Sequence, residues 1–132
     1  MKTRWVCSNT SVYNIGYHII WCTKYRKSLL NEAVQLRLKA LCKAKADELG
    51  ISIDTMETMP DHVHLFIKAS PIYAPHYIVQ QLKGATSRIL RNEFSHLRLR
   101  VPTLWTRSYY LESVGHISEK TIQKYIEDQK AI

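Results

Sequence analysis

Two histidines, His62 and His64, stand two residues apart in the alternating run His62-Val63-His64-Leu65-Phe66-Ile67-Lys68-Ala69. Successive side chains on a strand point to opposite faces, so both imidazoles point the same way, with Cα atoms about 6.6 Å apart at a rise of roughly 3.3 Å per residue. Two rings at that spacing can converge on one cation. Val63 between them turns into the core and sets the register, and Asp61 is placed to hold a ring in orientation by hydrogen bonding. The same pattern also fits two polar residues on the solvated face of a hairpin. Two imidazoles leave a metal site incomplete. His18, His76, His96, His116, and the carboxylates and amides near the C-terminus are the candidates to complete it. Acidic residues are sparse and unclustered, which argues against a two-metal nuclease built on a triad of acids.

A second constellation is Tyr125 with Gln129, at i and i+4 and hence on one face of a helix. Tyrosine can serve as a covalent nucleophile. A phenol with its ordinary pKa of about 10 needs activation by a base or a metal. A phosphotyrosine ester retains the energy of the broken phosphodiester, so rejoining needs no ATP. Gln129 can give an oxygen to the metal or a hydrogen bond to the phosphate. Equally, Tyr125 can pack beside Ile122 and Ile126 with its hydroxyl in water. Two basic regions are candidates for phosphate contact: Lys24, Arg26 and Lys27, and the stretch from Leu82 to Arg91 with Lys83, Arg88 and Arg91. Tyr25, among the first group, can stack on an unpaired base. An ordinary solvated face explains either region as well.

Bulk properties narrow the choice. The chain has 132 residues, 19 Lys and Arg against 11 Asp and Glu, and a formal charge of +8, a surplus that points to a polyanionic partner. Its length and 45% apolar content are those of a single globular domain, 1–132. Cys7, Cys22 and Cys42 have no C-x-x-C spacing, so neither a disulfide framework nor a zinc ribbon is expected. No apolar run approaches a membrane span. Met1-Lys2-Thr3-Arg4 lacks a signal-peptide core, so no membrane partner and a cytoplasmic location are expected. No P-loop, dinucleotide fingerprint or G-x-S-x-G is present, and no nucleotide cofactor is expected.

The elements that must position these residues read as strand 12–25, helix 31–49 capped by Asn31 and stopped by Gly50, strand 51–58, a Met59-Pro60-Asp61 turn, strand 62–69, helix 75–95, a short strand at 109–113, and a last helix over about 118–130 begun by Ser118. The helix at 75–95 is expected to bury Ile78, Leu82, Ala85, Ile89 and Phe94. This order predicts an α+β, ferredoxin-like sandwich, mainly antiparallel, with helices on one face and a C-terminal helix carrying the tyrosine.

Five segments taken together resemble a known family. They are Trp21-Cys22-Thr23-Lys24-Tyr25-Arg26, Met59-Pro60-Asp61-His62-Val63-His64-Leu65, Leu82-Lys83-Gly84-Ala85-Thr86-Ser87-Arg88, Leu104-Trp105 with Ser108-Tyr109-Tyr110, and Gln123-Lys124-Tyr125-Ile126-Glu127-Asp128-Gln129. In order, over about residues 13–130, they look like the single-tyrosine HUH transposases of the insertion-sequence 200/605 family. The resemblance implies His62, His64 and Gln129 as ligands of Mg²⁺ or Mn²⁺, although imidazoles on their own favour softer ions. It implies Tyr125 as nucleophile, a 5′-phosphotyrosine intermediate, and single-stranded DNA with hairpins at element ends as substrate. It also implies a homodimer in which the tyrosine helix is exchanged between subunits. A domesticated tyrosine nuclease of repetitive palindromes, a non-catalytic hairpin-binding module and a water-using metal nuclease are the alternatives; the palindrome enzymes usually carry a longer C-terminal extension than the three residues after Gln129 here. Lys83 and Arg88 are expected at phosphates, where an alanine at either lowers the salt slope of binding by about 1.

Overall fold

The computed structural model describes residues 6–7 and 11–114. The helix expected over about 118–130, with Tyr125 and Gln129, lies outside the described residues, as does His116. A short antiparallel ribbon joins β1 (Val6–Cys7) to β2 (Val12–Tyr13). The domain then runs β3 (Ile15–Cys22), α1 (Glu32–Leu49), β4 (Ser52–Met59), β5 (His62–Ala69), α2 (Pro75–Glu93), α3 (Ser95–Leu99) and β6 (Tyr110–Val114). The main sheet has the order β4-β5-β3-β6, and every neighbouring pair is antiparallel. This is the expected ferredoxin-like arrangement.

Local chemistry explains the helix limits. The Asn31 side chain accepts the Val34 N–H at 2.9 Å, which satisfies one of the free donors of the first turn. Gly50 closes α1 at φ 70°, a left-handed position that glycine adopts without a Cβ clash. Pro75 sits in the first turn of α2, where its missing N–H costs nothing. The buried stripes are Val34, Leu38, Leu41, Cys42, Ala46 and Leu49 on α1, and Ile78, Val79, Leu82, Thr86 and Leu90 on α2. The α2 stripe is thus rotated from the expected one, with Ile89 and Phe94 at the margin of the core. Thr86 fits in this stripe because its hydroxyl donates to the Leu82 carbonyl at 2.7 Å and accepts Trp105 Nε1–H at 3.1 Å. Cys42 is a packed core thiol, pushed up to about 12 by burial.

Both helices share one core with Ile19 and Trp21 of β3 and Val63, Leu65 and Ile67 of β5. Three differences from the expected elements have physical causes. The strand expected over 12–25 is divided: β3 ends at Cys22, and Lys24–Arg26 form a turn of 3-10 helix. Helix α3 was not expected, because five residues carry too little of a helical period; it buries Leu97 against the core. In β4 the pairing shifts between Ile53 and Thr55, a bulge at Asp54. Past it the faces exchange, so Met56 joins Ile53 against the core while Thr55 and Glu57 turn to the opposite face.

Two leucines on α1 test this orientation. Leu38 is 0% exposed and Leu36 is 73% exposed, so Leu38→Ala should lower stability by about 2–5 kcal/mol and Leu36→Ala by less than about 0.5 kcal/mol. Urea midpoints at an unchanged slope provide the measurement.

Candidate active site

The pairing of β3 with β5 places Cys22 opposite His62, Ile20 opposite His64 and His18 opposite Phe66. All six therefore lie on the sheet face away from the helices. Val63 is fully buried on the helix side, as its place between the histidines required. The imidazoles do not lie on a solvated face: His62 is 8% exposed and His64 1%. Their ring centroids are 4.7 Å apart at an interplanar angle of 58°, a side-by-side placement suited to two ligands of one cation. Asp61 Oδ1 lies 2.6 Å from His62 Nδ1, and its Oδ2 accepts from Arg26 Nη2 at 3.4 Å. A carboxylate only accepts, so Nδ1 carries the proton of this bond and Nε2 is the nitrogen left to face a ligand. Asp61 thus holds the His62 ring by a hydrogen bond.

Further polar groups gather on this face. The His18 ring is 6.1 Å from that of His64, and burial lowers its pKa against an opposing pull from Glu112. Tyr110 packs edge-on to His18 at 5.9 Å and donates its hydroxyl to Glu112 Oε2 at 2.9 Å. Glu57 stands directly opposite His64 in the β4–β5 register. It faces the histidine only because of the bulge, and strict alternation along β4 conceals it. Among the described residues no three His, Cys, Asp or Glu side chains converge as a metal site, so the pair by itself would give a cation only two ligands. His76 and His96 are engaged elsewhere, with the Tyr109 hydroxyl at 2.8 Å and the Leu29 carbonyl at 3.0 Å.

The first basic region wraps the end of the sheet beside His62. Thr23 N–H donates to the Asp61 carbonyl at 2.9 Å, and Lys24 N–H to the Leu104 carbonyl at 2.8 Å. Thr23 Oγ1 donates to the Lys27 carbonyl at 2.7 Å. Within this turn Tyr25 and Arg26 both have positive φ, 59° and 52°, at a cost of order 1 kcal/mol each for residues with a Cβ. Arg26 and Lys27 are exposed and Lys24 half-buried. No feature of the sequence marked Thr23 as the residue that ties this turn to Asp61.

On α2 the expected phosphate contacts separate. Arg88 is exposed and Arg91 half-buried. The Lys83 ammonium is committed within the fold: it donates to the carbonyls of Thr106, Arg107 and Ser108 at 2.6, 3.4 and 3.2 Å and lies 5.8 Å from the Tyr109 ring centre. Burial lowers its pKa, with a smaller opposing influence from Cys22. The segment it holds is joined to β3 by the Thr106 N–H bond to the Cys22 carbonyl at 3.0 Å. Lys83 therefore clamps the 106–108 carbonyls beside the site.

The chain resembles known transposases in sequence and in fold. The family model described as "Transposase IS200 like" matches residues 11–129. The chain is 40% identical over 120 residues to the ISDra2 transposase TnpA of Deinococcus radiodurans, covering 89% of this chain and 86% of that one. It is 31% identical to the transposase for insertion sequence element IS200 of Salmonella typhimurium, covering 96% and 79%. A crystal structure of a proposed transposase from Deinococcus radiodurans R1 superposes with a TM-score of 0.78 at 36% identity, covering 94% of this chain and 97% of that one. The structure of a REP-associated tyrosine transposase bound to a REP hairpin shares the fold, with a TM-score of 0.61 at 10% identity, covering 90% and 68%.

Lys83 and Arg88 on α2 should behave differently. Lys83→Ala should lower stability by about 1 kcal/mol, because it leaves carbonyls of a partly exposed segment without their donor, and should leave the salt slope of single-stranded DNA binding unchanged. Arg88→Ala should leave stability unchanged and lower that slope by about 1. Urea unfolding and binding titrations over a range of salt concentrations distinguish the two.

Proposed function

The chain belongs to the IS200-like transposases, and from that premise we propose that it cuts and rejoins single-stranded DNA at insertion-sequence ends through a covalent 5′-phosphotyrosine at Tyr125. The observation that carries this reading is the buried His62–His64 pair, with one ring oriented by Asp61. An oriented imidazole pair can give two ligands to a divalent cation that assists phosphoryl transfer. His62, His64 and Gln129 would hold Mg²⁺ or Mn²⁺, which when bound supplies Lewis acidity at the scissile phosphate.

The chain's own groups do the rest. The Tyr125 oxygen forms a bond to phosphorus and the bond to the 3′ oxygen breaks; the phenol gives its proton to solvent, and the leaving oxygen takes one from solvent to become a 3′-hydroxyl. Attack by another strand's 3′-hydroxyl on the phosphotyrosine reverses the exchange and reseals the backbone. Asp61 holds His62 in its tautomer throughout, and Arg26 holds Asp61. The +8 charge draws the polyanion to the site. Hairpins at the element ends are the recognised feature, in keeping with the shared fold of the hairpin-bound relative. The enzyme works as a homodimer, in the cytoplasm of a prokaryote, with no nucleotide cofactor.

A denaturing gel tests this reading directly. With Mg²⁺ or Mn²⁺ and labelled single-stranded DNA from the element ends, the wild-type protein should give an adduct of one protein chain, and Tyr125→Phe none. Cleavage without an adduct in either protein would mean a water-using nuclease. Binding without cleavage would mean a DNA-binding module. Asp61→Ala should slow adduct formation by roughly 10- to 100-fold at limiting metal.

A further inference from the structure

Tyr25 has no role in the reaction as described, yet its ring is placed unusually. The side chain is 67% exposed, the most of any tyrosine among the described residues. The backbone that presents it is left-handed at two consecutive residues, neither of them glycine. Such conformations persist only where the surroundings over-determine them, and they gather at functional sites. The surroundings here are explicit. Thr23 is bonded to Asp61 and to Lys27, Lys24 to Leu104, and Arg26 to the Asp61 carboxylate. Asp61 in turn holds His62. The ring therefore stands on a braced turn, a short chain of hydrogen bonds from the histidine pair, and the Lys24 ammonium lies 5.1 Å from its centre.

An exposed aromatic face with cations beside it, Lys24 and Arg26 within the turn and Lys27 next to it, matches the requirements of a single-stranded nucleic acid. The base stacks on the ring while the flanking phosphates meet the charges. Stacking tolerates any base, since each has a π-face. From this placement we infer that Tyr25 is a base-stacking residue: it holds the unpaired nucleotide next to the scissile phosphate and so sets the position of that phosphate over His62 and His64. The inference rests on the proposed reaction and adds to it the residue that fixes where the strand lies.

The test uses element-end oligonucleotides with 2-aminopurine placed singly at each position flanking the cleavage point. Wild-type protein should quench the fluorophore at one such position. Tyr25→Phe should keep both the quench and the cleavage rate. Tyr25→Gly should lose the quench at that position and cut roughly 5- to 100-fold more slowly, while its urea midpoint stays the same or rises, because glycine relieves the positive φ. That combination excludes a fold defect. A wild-type protein that cuts, paired with a Tyr25→Gly variant that cuts within about twofold of it and quenches equally, overturns the inference and leaves the proposed reaction standing. A wild-type protein that neither binds nor cuts overturns both.

Discussion

The antiparallel register of β3 on β5 governs the rest of the structure. Eight residue pairs, from Ile15 with Ala69 to Cys22 with His62, decide which side chains share a face. A slip of one residue would turn Leu65 and Ile67 to the open face and His64 into the core. The register is secured because one face must bury Ile19, Trp21, Val63, Leu65 and Ile67 against both helices. The apolar core thus does chemical work at a distance: by fixing Val63 it fixes the two imidazoles on either side of it. Phe66, on the same face as the histidines, packs close under Gly16, where a Cβ would meet the ring at 3.0 Å.

The end of the sheet near His62 is held by polar bonds as well as by burial of Leu104 and Trp105. Three segments distant in sequence meet there: the turn after β3, the turn before β5, and the 104–108 segment. Backbone bonds from Thr23, Lys24 and Thr106 join them, and Lys83 closes the arrangement from α2. Burial at this end raises the Cys22 thiol above its ordinary range, with Arg26, Asp61 and Lys83 all acting on it electrostatically. A charge placed on one of these segments is therefore felt by the others. Such a hydrogen-bonded end can hold two positive-φ residues that a looser turn would relax.

Much of this was legible beforehand because it depends on short-range rules. The Asn31 cap and Gly50 stop of α1, the strand from His62 to Ala69 and the shared face of the two histidines follow from spacing and residue type. The bulge at Asp54 was not legible. The alternation set by Ile51 and Ile53 places Glu57 with them on the core face, and only the shifted pairing with β5 shows that it faces His64. The carbonyls that Lys83 holds were hidden for a similar reason. A lysine among small and hydroxyl residues on a helix looks like a phosphate contact, and nothing local reveals that three carbonyls from residues 106–108 arrive at its ammonium.

By itself the sequence determined the element types, the pairing of His62 with His64 on one strand face, the basic character and, through five motifs in order, the family. These are properties of neighbouring residues, where backbone periodicity alone sets geometry. Only the tertiary structure decided that the imidazoles are buried and not solvated, that Asp61 is anchored by Arg26, that His18 and Glu57 share their face, and that Lys83 serves the fold. Each depends on strands and loops separated by tens of residues meeting at one place, and that meeting is set by core packing, which local periodicity does not encode.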